Sequence, residues 1–386
     1  MQPSTELFPL IGPDQDFALW AVLIGIAAFG FWSERFSIGR KYSGVMLLIT
    51  LAIVLSNLRI IPSAAPVYDV VWSYLVPIAI PLLLFQADLR RVFREAGATL
   101  VAFIIGSATV VAGAFIAMSL IDLGPTEPAL AGIFTGTYIG GSLNFAAVAE
   151  ATQFEDKTYL AAMFAADNVI TNLHLILIIT LPGIAAFARL FPRRRDGATE
   201  VTRTDPDKPV HQIENLDIAG LTAALALAFA LAALGHFVAA MIDRPQYGIL
   251  VITFLALMVA TLAPRLVARM SGFTEAGNVL MFIFLATIGA SADVWKLVEI
   301  APILFVVALI IVSVHLLLLL PLGRLFKLDL GEILMGSAVC IGGPAMAPAI
   351  ASAKGWSHLM VPGVLAGSFG YAIGSFVGMS VVEWLS

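Results

Sequence analysis

The stretch IFTGTYIGGSLNFAAVAEA, residues 133–151, carries a Gly-Gly pair in the middle of an apolar segment. A second stretch, MGSAVCIGGPAMAPAIASA at residues 335–353, repeats this design at a constant offset of 202. The aligned pairs include Thr135 with Ser337, Gly140 with Gly342 and Gly141 with Gly343. Glycine weakens a helix interior and frees backbone groups from helical pairing. Two such interruptions, in matching places of two halves, indicate a transporter binding site.

The composition is that of a polytopic membrane protein. Of the 386 residues, 60% are hydrophobic and only 12% are charged, whereas soluble domains carry about 25% charge. A helix that crosses a bilayer needs about 20 apolar residues, and the chain shows no alternating pattern of the kind a β-barrel requires. We therefore predict helices over twelve apolar segments: 17–32, 43–57, 68–87, 97–121, 128–152, 158–191, 217–242, 247–264, 273–290, 297–322, 330–352 and 357–384.

One long hydrophilic stretch, residues 192–216, is rich in charged residues, proline and threonine. This composition is typical of a flexible linker. It divides the chain into an N-terminal half, 1–191, and a C-terminal half, 217–386. The single cysteine, Cys340, excludes an internal disulfide and a cysteine metal cluster.

The positive charges distinguish between two topologies. If all twelve segments cross the membrane and the N-terminus is external, ten of the 21 lysines and arginines lie inside and eleven outside, which is no bias. If both Gly-Gly segments enter and leave on the same side, four remain outside: Arg59, Lys157, Arg244 and Lys296. The charges therefore predict a re-entrant first hairpin and a cytoplasmic linker. For the second hairpin only Lys354 lies beyond it, so that prediction depends on the repeat.

Each half then has about five spans and one Gly-Gly hairpin, an odd number of crossings, so the halves insert in opposite directions. This is the inverted-topology repeat of many secondary transporters. A second match supports it, because residues 85–88 read FQAD and residues 290–293 read ASAD at an offset of 205. We predict an all-α polytopic membrane protein of two inverted repeats with both termini external. Asp88 and Asp293 are expected at solvated helix ends or in surface ion pairs.

Asp167 is the charged residue expected near mid-membrane. It lies about ten residues into its segment, where a charge is costly and usually faces the protein interior. Asp167, Thr171 and His174 share one helical face, and Asn168 is adjacent. Carboxylate, hydroxyl and amide oxygens suit Na⁺, while a shielded carboxylate can carry a proton. We predict Asp167, Asn168 and Thr171 as ion-coupling residues; the alternative is a polar seam that joins helices.

The tips of the two Gly-Gly segments are the expected substrate site. Helices that start there present N–H groups and a positive dipole end, which suit a carboxylate or another anion. Carbonyls freed on the preceding arms, around Thr135 and Ser337, suit a cation, so both residues join the ion-coupling set. The predicted substrate-binding residues are Gly140, Gly141, Ser142, Asn144, Gly342, Gly343 and Pro344. Asn144 is the side chain expected to contact substrate, and two kinked structural helices are the alternative.

Several classes of chemistry lack their sequence patterns. The chain contains no GxxxxGK[ST], HExxH, GxSxG or CxxCH motif, so nothing indicates ATP drive or catalysis. We expect no enzyme activity, no nucleic-acid partner and no cofactor beyond Na⁺ or H⁺ as coupling ion. The expected partners are the lipid bilayer, a small-molecule or ion substrate and, by analogy with such folds, a second copy in a homodimer.

Three stretches carry a family resemblance: GTYIGGSLNFAAVAEA (136–151), ADN (166–168), and CIGGPAMAPAIASAKGW (340–356) through GYAIG (370–374). They resemble the bacterial membrane family called domain of unknown function 819. The similarity runs along nearly the whole chain. It implies a bacterial inner-membrane protein and does not by itself specify a function.

Two more distant similarities concern function. The sodium:glutamate symporters carry Gly-Gly-His-Gly-Thr in two re-entrant segments, whereas residues 140–144 read GGSLN and residues 342–346 read GGPAM. The glycines match and the other residues do not, so glutamate is not implied as substrate. The chain is also similar to cation:proton antiporters, which place an acidic–amide or di-acidic pair in the helix after an interrupted one, as Asp167 and Asn168 are placed here.

We therefore expect a secondary transporter that couples Na⁺ or H⁺ to uptake of a small organic anion or amino acid. A Na⁺/H⁺-type antiporter with Asp167 as the exchanged site is the first alternative. A non-transporting membrane scaffold or an unrecognised intramembrane enzyme is the second.

Overall fold

The computed structural model describes residues 9–36, 43–184, 190–191 and 217–386, and these residues form helices, turns and loops without a β-strand. The predicted linker 192–216 lies outside the described residues. The helices, numbered along the described chain, are α1 (Asp16–Ser33), α2 (Gly44–Asn57), α3 (Pro66–Leu84), α4 (Leu89–Glu95), α5 (Gly97–Leu120), α6 (Glu127–Ala151), α7 (Lys157–Thr180), α8 (Ile218–Met241), α9 (Gly248–Leu262), α10 (Pro264–Val267), α11 (Phe273–Ala290), α12 (Val294–Leu325), α13 (Leu330–Gly342), α14 (Met346–Lys354) and α15 (Ser357–Leu385).

In the part of the chain that the structure describes, every one of the twelve predicted apolar segments contains a helix, which confirms the all-α assignment. In the described part of the segment predicted over 158–191, α7 ends at Thr180 and a 3₁₀ turn follows over Leu181–Gly183, and residues 185–189 lie outside the described residues. Pro182 has no backbone N–H to donate and its ring clashes with a preceding carbonyl, so an α-helix tends to stop at this point.

The helices have the length and surface of membrane-spanning elements. Among the described residues, nine of the twelve segments form helices long and apolar enough to cross a bilayer. The other three are α2, with 14 residues, and the two Gly-Gly segments. Large apolar side chains such as Phe17, Leu317 and Phe237 point outward, with 94%, 72% and 61% of their surface exposed. Apolar surface on this scale is stable against lipid.

The described chain forms two compact units, each of which draws on both sequence halves. The first unit comprises residues 1–79, 153–169 and 275–306. Within it, the rings of Phe31 and Phe282 stack with centroids 4.0 Å apart. The amide of Asn57 joins the N-terminal half of the chain to the C-terminal half, because its Nδ2 donates to Ala292 O at 2.9 Å and its Oδ1 accepts from Val294 N at 3.1 Å.

The second unit comprises residues 80–152, 170–274 and 307–386, and its centre is the packing of α15 against α6. Glycines recur every four residues on both helices, and they approach one another in antiparallel order. A Cβ added to Gly378 would lie 2.7 Å from Gly132 O, and one added to Gly374 would lie 3.0 Å from Gly136 O. The glycine stripe of α15 is therefore a close-packing surface, as small residues are at other membrane helix interfaces.

Candidate functional site at the two Gly-Gly breaks

The first break interrupts α6 in its middle. Gly140 has φ −141° and ψ 18°, and Gly141 has φ 69° and ψ −165°, so neither continues the helix. A Cβ on Gly140 would lie 1.8 Å from Asn144 Nδ2. The Asn144 amide stabilises the break, because Nδ2 donates to Gly140 O at 2.9 Å and to Gly370 O at 3.3 Å, and Oδ1 accepts a hydrogen bond from Ser375 Oγ.

The second break, between α13 and α14, has the same local design. Gly343 has φ 76° and ψ 179°, close to the angles of Gly141 and in a region that only glycine populates readily. A Cβ on Gly342 would lie 2.5 Å from Met346 Cγ. In both pairs, therefore, the first glycine provides space for the side chain four residues later, and the second provides the positive φ.

Both breaks lie against Tyr371 of α15. A Cβ on Gly141 would be 3.8 Å from Tyr371 Cε1, and a Cβ on Gly343 would be 3.9 Å from the same atom. Two residues before the glycine pairs, Cys340 Sγ donates to Tyr138 O at 3.2 Å. The structure thus brings the two Gly-Gly pairs, 202 residues apart in sequence, to one tyrosine inside the second unit.

The predicted substrate-binding residues differ in their accessibility. Ser142 is exposed and Gly141 is half-buried, so the first break opens to the outside of the chain. Asn144 has no exposed surface. Pro344 is buried against Gly367, where a Cβ would lie 2.6 Å from Pro344 Cα. Ser142 therefore has exposed surface, whereas Asn144 and Pro344 are packed inside the protein at the two breaks. Substrate contacts by these three residues stay predictions.

Three of the five predicted ion-coupling residues, Asp167, Asn168 and Thr171, lie on α7, and α7 contributes to both units. Asp167 and Asn168 are half-buried in the part of α7 that belongs to the first unit, and Asn168 Nδ2 donates to Phe164 O at 2.8 Å. Thr171 belongs to the second unit, where its Cγ2 lies 3.5 Å from a Cβ built on Gly342. Thr171 is thus the member of this set that the structure places beside a break.

The equivalent hydroxyls of Thr135 and Ser337 have different surroundings. Both side chains are fully buried. Within the described part of the chain, Thr135 Oγ1 has no hydrogen-bond partner. Ser337 Oγ lies 3.1 Å from His174 Nε2 and 2.8 Å from His315 Nε2. Ser337 therefore belongs to a histidine cluster in this conformation.

Sequence reasoning missed two residues of this cluster, His315 and Thr109. His315 Nδ1 lies 2.9 Å from Thr109 Oγ1, and the side chains are 206 positions apart. The sequence feature that pointed to His315 was its position as a single histidine in the apolar run LIIVSVHLLLLL, residues 309–320. A polar ring inside such a run needs buried hydrogen-bond partners, but the sequence does not show which residues supply them.

Comparison with known proteins gives two matches. Residues 21–386 match the family described as "Protein of unknown function (DUF819)". The chain is also similar to "Uncharacterized membrane protein YjcL" of Bacillus subtilis (strain 168), with 33% identity over 395 residues that cover 98% of each chain.

Proposed function

The chain belongs to the DUF819 family, as the residues around its Gly-Gly pairs predict, and we propose that it is a cation-coupled secondary transporter. It takes up a small organic anion or amino acid across the bacterial inner membrane, with both termini external and the linker cytoplasmic. Na⁺ or H⁺ supplies the drive, and no enzymatic step or further cofactor is involved. A homodimer is the assembly that such folds commonly adopt.

The observation that carries this proposal is the meeting of two helix breaks at Tyr371. Non-helical backbone inside a membrane is tolerated only where protein buries it or where it lines a water-filled cavity. Broken helices in corresponding places of two repeats are also where transporters bind substrate. An exposed Ser142 directly after the first break supports a ligand site there.

The chemistry of the first break favours an anionic group on the substrate. The arm of α6 that follows Gly141 points its N-terminus at the break, and a helix N-terminus attracts negative charge. Ser142 adds a hydroxyl at the same end. A carboxylate placed there is the arrangement expected for an organic acid or an amino acid.

Asp167 is the proposed partner of a coupling cation. It is half-buried in a helix apolar enough to cross the membrane, and a carboxylate at that depth usually serves an ion pathway. Thr171, one turn later, adjoins Gly342 of the second break. The same observation favours the Na⁺/H⁺-type antiporter as second candidate, with Asp167 as the exchanged site.

The two candidates differ in what moves when a Na⁺ gradient is imposed on vesicles that contain the purified protein. For the symporter, we expect cation uptake only when a member of a panel of small carboxylates and amino acids is present. For the antiporter, Na⁺ alone changes the fluorescence of an internal pH dye. Absence of flux with the whole panel, together with an unchanged unfolding temperature in Na⁺, contradicts both.

The matched variants are Asp167→Asn and Asp69→Asn. Asp69 is an exposed carboxylate near the start of α3, so its neutralisation should leave flux unchanged. Asp167→Asn should remove the dependence of flux on the cation gradient and keep the protein monodisperse. If Asp167→Asn retains full coupling, the assignment of the ion to Asp167 is wrong even where transport itself is observed.

A further inference from the structure

Three buried side chains form a hydrogen-bonded chain across three helices of the second unit. His174 of α7 and His315 of α12 lie on either side of Ser337 of α13, with their ring centroids 5.9 Å apart. Both Nε2 atoms contact Ser337 Oγ, at 3.1 and 2.8 Å. His315 and Ser337 have no exposed surface, and His174 has 4%.

The contact between His315 and the backbone oxygen of Gly106 determines where the protons of this hydrogen-bonded chain lie. His315 Nδ1 lies 3.1 Å from Gly106 O, which can only accept, so Nδ1 carries the proton. In a neutral ring the Nε2 of His315 is then an acceptor, and it accepts a hydrogen bond from the Ser337 hydroxyl. Because the Ser337 hydroxyl already donates its proton to His315, its oxygen accepts a hydrogen bond from Nε2–H of His174. One arrangement of protons therefore satisfies every contact in the chain.

This arrangement leaves one nitrogen with a lone pair. With its proton on Nε2, the neutral His174 ring has a bare Nδ1, and in the described part of the chain Nδ1 has no hydrogen-bond partner. A buried polar atom in this state costs free energy comparable to a lost hydrogen bond. Nδ1 of His174 is also the atom of the His174–Ser337–His315 cluster to which a proton can add without breaking an existing hydrogen bond.

We propose that His174, Ser337 and His315 form a proton-binding relay that holds one exchangeable proton. A proton binds His174 Nδ1. The Nε2–H proton of His174 then passes to Ser337 Oγ as the Ser337 proton passes to His315 Nε2. The number of protons is conserved: His174 ends neutral with its proton on Nδ1, Ser337 remains a hydroxyl, and His315 becomes the cation. The positive charge has moved from α7 to α12.

The groups around His174 and His315 favour the binding of one proton by the pair over the binding of two. Among the described residues, neither histidine makes an ion pair, and each is the ionisable group that faces the other. The further titratable side chain at the cluster is Cys340 of α13, whose Sγ and His315 Cε1 would lie 3.6 and 3.0 Å from a Cβ on Gly106. On α7 itself, Asp167 precedes His174 by seven residues, about 10 Å along the axis. Two imidazolium ions across one hydroxyl would repel and would leave Ser337 without an acceptor.

The inference rests on the proposed transport function in one respect, since it names H⁺ as an ion that the protein binds. It is independent in another, because proton binding is measured on purified protein without any substrate. The chain has five histidines, His174, His211, His236, His315 and His358. Selective ¹⁵N-histidine labelling of detergent-solubilised protein therefore gives a spectrum that His174→Gln and His315→Gln variants can assign.

At high pH we expect the Nε2–H tautomer for His174 and the Nδ1–H tautomer for His315. As the pH falls, the pair should take up one proton, and the double variant should bind one proton fewer than the wild type in a weakly buffered titration. His358→Gln, at an exposed position outside this cluster, is the matched control variant. Ser337→Ala should uncouple the two ring signals, while Ser368→Ala, whose hydroxyl bonds Val364 O of its own helix, should not.

A difference of zero or of two protons between the wild type and the double variant overturns the proposal, as does the opposite tautomer on His315. Flux measurements separate this failure from failure of the transport function. If the two histidines share one proton and no solute is transported, the relay proposal stands and the transport proposal is wrong. If Na⁺ alone drives transport and the two histidines do not titrate, the transport proposal stands and the relay proposal is wrong.

Discussion

At each break the two glycines are required for different physical reasons. Gly140 and Gly342 have no room for a Cβ, whereas Gly141 and Gly343 have positive φ with extended ψ. An L-amino acid in that conformation costs about 1–3 kcal/mol. The matching roles explain why the pair recurs as a pair, since a single glycine would meet only one of the two requirements.

Replacement of the second glycine should therefore destabilise the protein without a steric clash. We expect Gly141→Ala and Gly343→Ala each to lower the thermal unfolding midpoint in detergent. Gly25→Ala is the matched control, because Gly25 lies in α1 with negative φ and nothing within 4 Å of an added Cβ. Its midpoint should equal or exceed that of the wild type. Equal midpoints for Gly343→Ala and Gly25→Ala would show that the break does not hold Gly343 at positive φ.

Asn144 and Ser142 should separate stability from ligand binding. Asn144→Ala removes the donor to Gly140 O and Gly370 O and the acceptor for Ser375, and each buried group left unpaired costs about 1–3 kcal/mol. Ser142 is exposed, so Ser142→Ala should change the unfolding free energy by less than about 0.5 kcal/mol and reduce solute-dependent flux. The reverse pattern in unfolding and flux assays would return the ligand contact to Asn144.

The sequence could identify the Gly-Gly pairs and their polar neighbours but not the neighbours' partners. Asn144 stands four residues after Gly140, which is visible in any helical projection. Its other partners, Gly370 and Ser375, are 226 and 231 positions away. Whether a buried amide faces ligand or protein depends on these distant contacts, and local spacing carries no information about them.

At the scale of helices, the glycines of α15 pack closely against both broken segments. Gly370, Gly374 and Gly378 face α6, and Gly367 faces Pro344 at the second break. In a membrane, helices associate through close van der Waals packing, because lipid is as apolar as the side chains. Glycines three to four residues apart are typical of close helix packing, but the identity of the partner helix could be read only from the fold.

A methyl group on this surface should act as a wedge. In Gly378→Ala the added Cβ would lie 2.7 Å from Gly132 O, a backbone atom that cannot rotate away. Overpacking of this kind typically costs about 1–3 kcal/mol. We expect a lower unfolding midpoint for Gly378→Ala than for Ser380→Ala, an exposed position two residues along the same helix. If the two midpoints agree, α15 does not approach α6 this closely.

Two helices begin with equivalent caps. Asp88 Oδ1 accepts from Arg90 N and Arg91 N at 3.0 and 3.3 Å at the start of α4. Asp293 Oδ1 accepts from the corresponding N–H groups at 2.8 and 3.2 Å at the start of α12. The expected helix-end role of both aspartates is thus confirmed. It also gives the FQAD and ASAD stretches a shared structural purpose.

Loss of either cap should cost about 1 kcal/mol, and asparagine should replace aspartate well, because the accepting side-chain oxygen is what the cap needs. We expect Asp88→Ala and Asp293→Ala to reduce stability in chemical denaturation, and Asp88→Asn and Asp293→Asn to stay near the wild type. An equally large loss for the asparagine variants would point to the negative charge, through the helix dipole, as the source of the stabilisation.

For the whole molecule, hydrophobic runs predict the helices because each span must be apolar over most of its length. They do not predict how the helices group, and the two compact units each combine residues from both sequence halves. The hydrogen bond from the Cys340 thiol to the backbone oxygen of Tyr138 joins positions at the repeat offset of 202. A residue that touches its own equivalent is what a two-fold axis between repeats produces, which supports the proposed repeat without deciding whether it is inverted or parallel.

The direction of the repeat can be measured at the equivalent caps. An inverted repeat places Arg90, just after Asp88, and Trp295, just after Asp293, on opposite membrane faces, whereas a parallel repeat places them on the same face. Both side chains are exposed. The native Cys340 is fully buried and should react little. In intact cells an impermeant maleimide should label Trp295→Cys and not Arg90→Cys, which should react only after the membrane is opened. Labelling of both from outside, or of neither, would exclude the inverted arrangement and with it the charge-based argument for a re-entrant first hairpin.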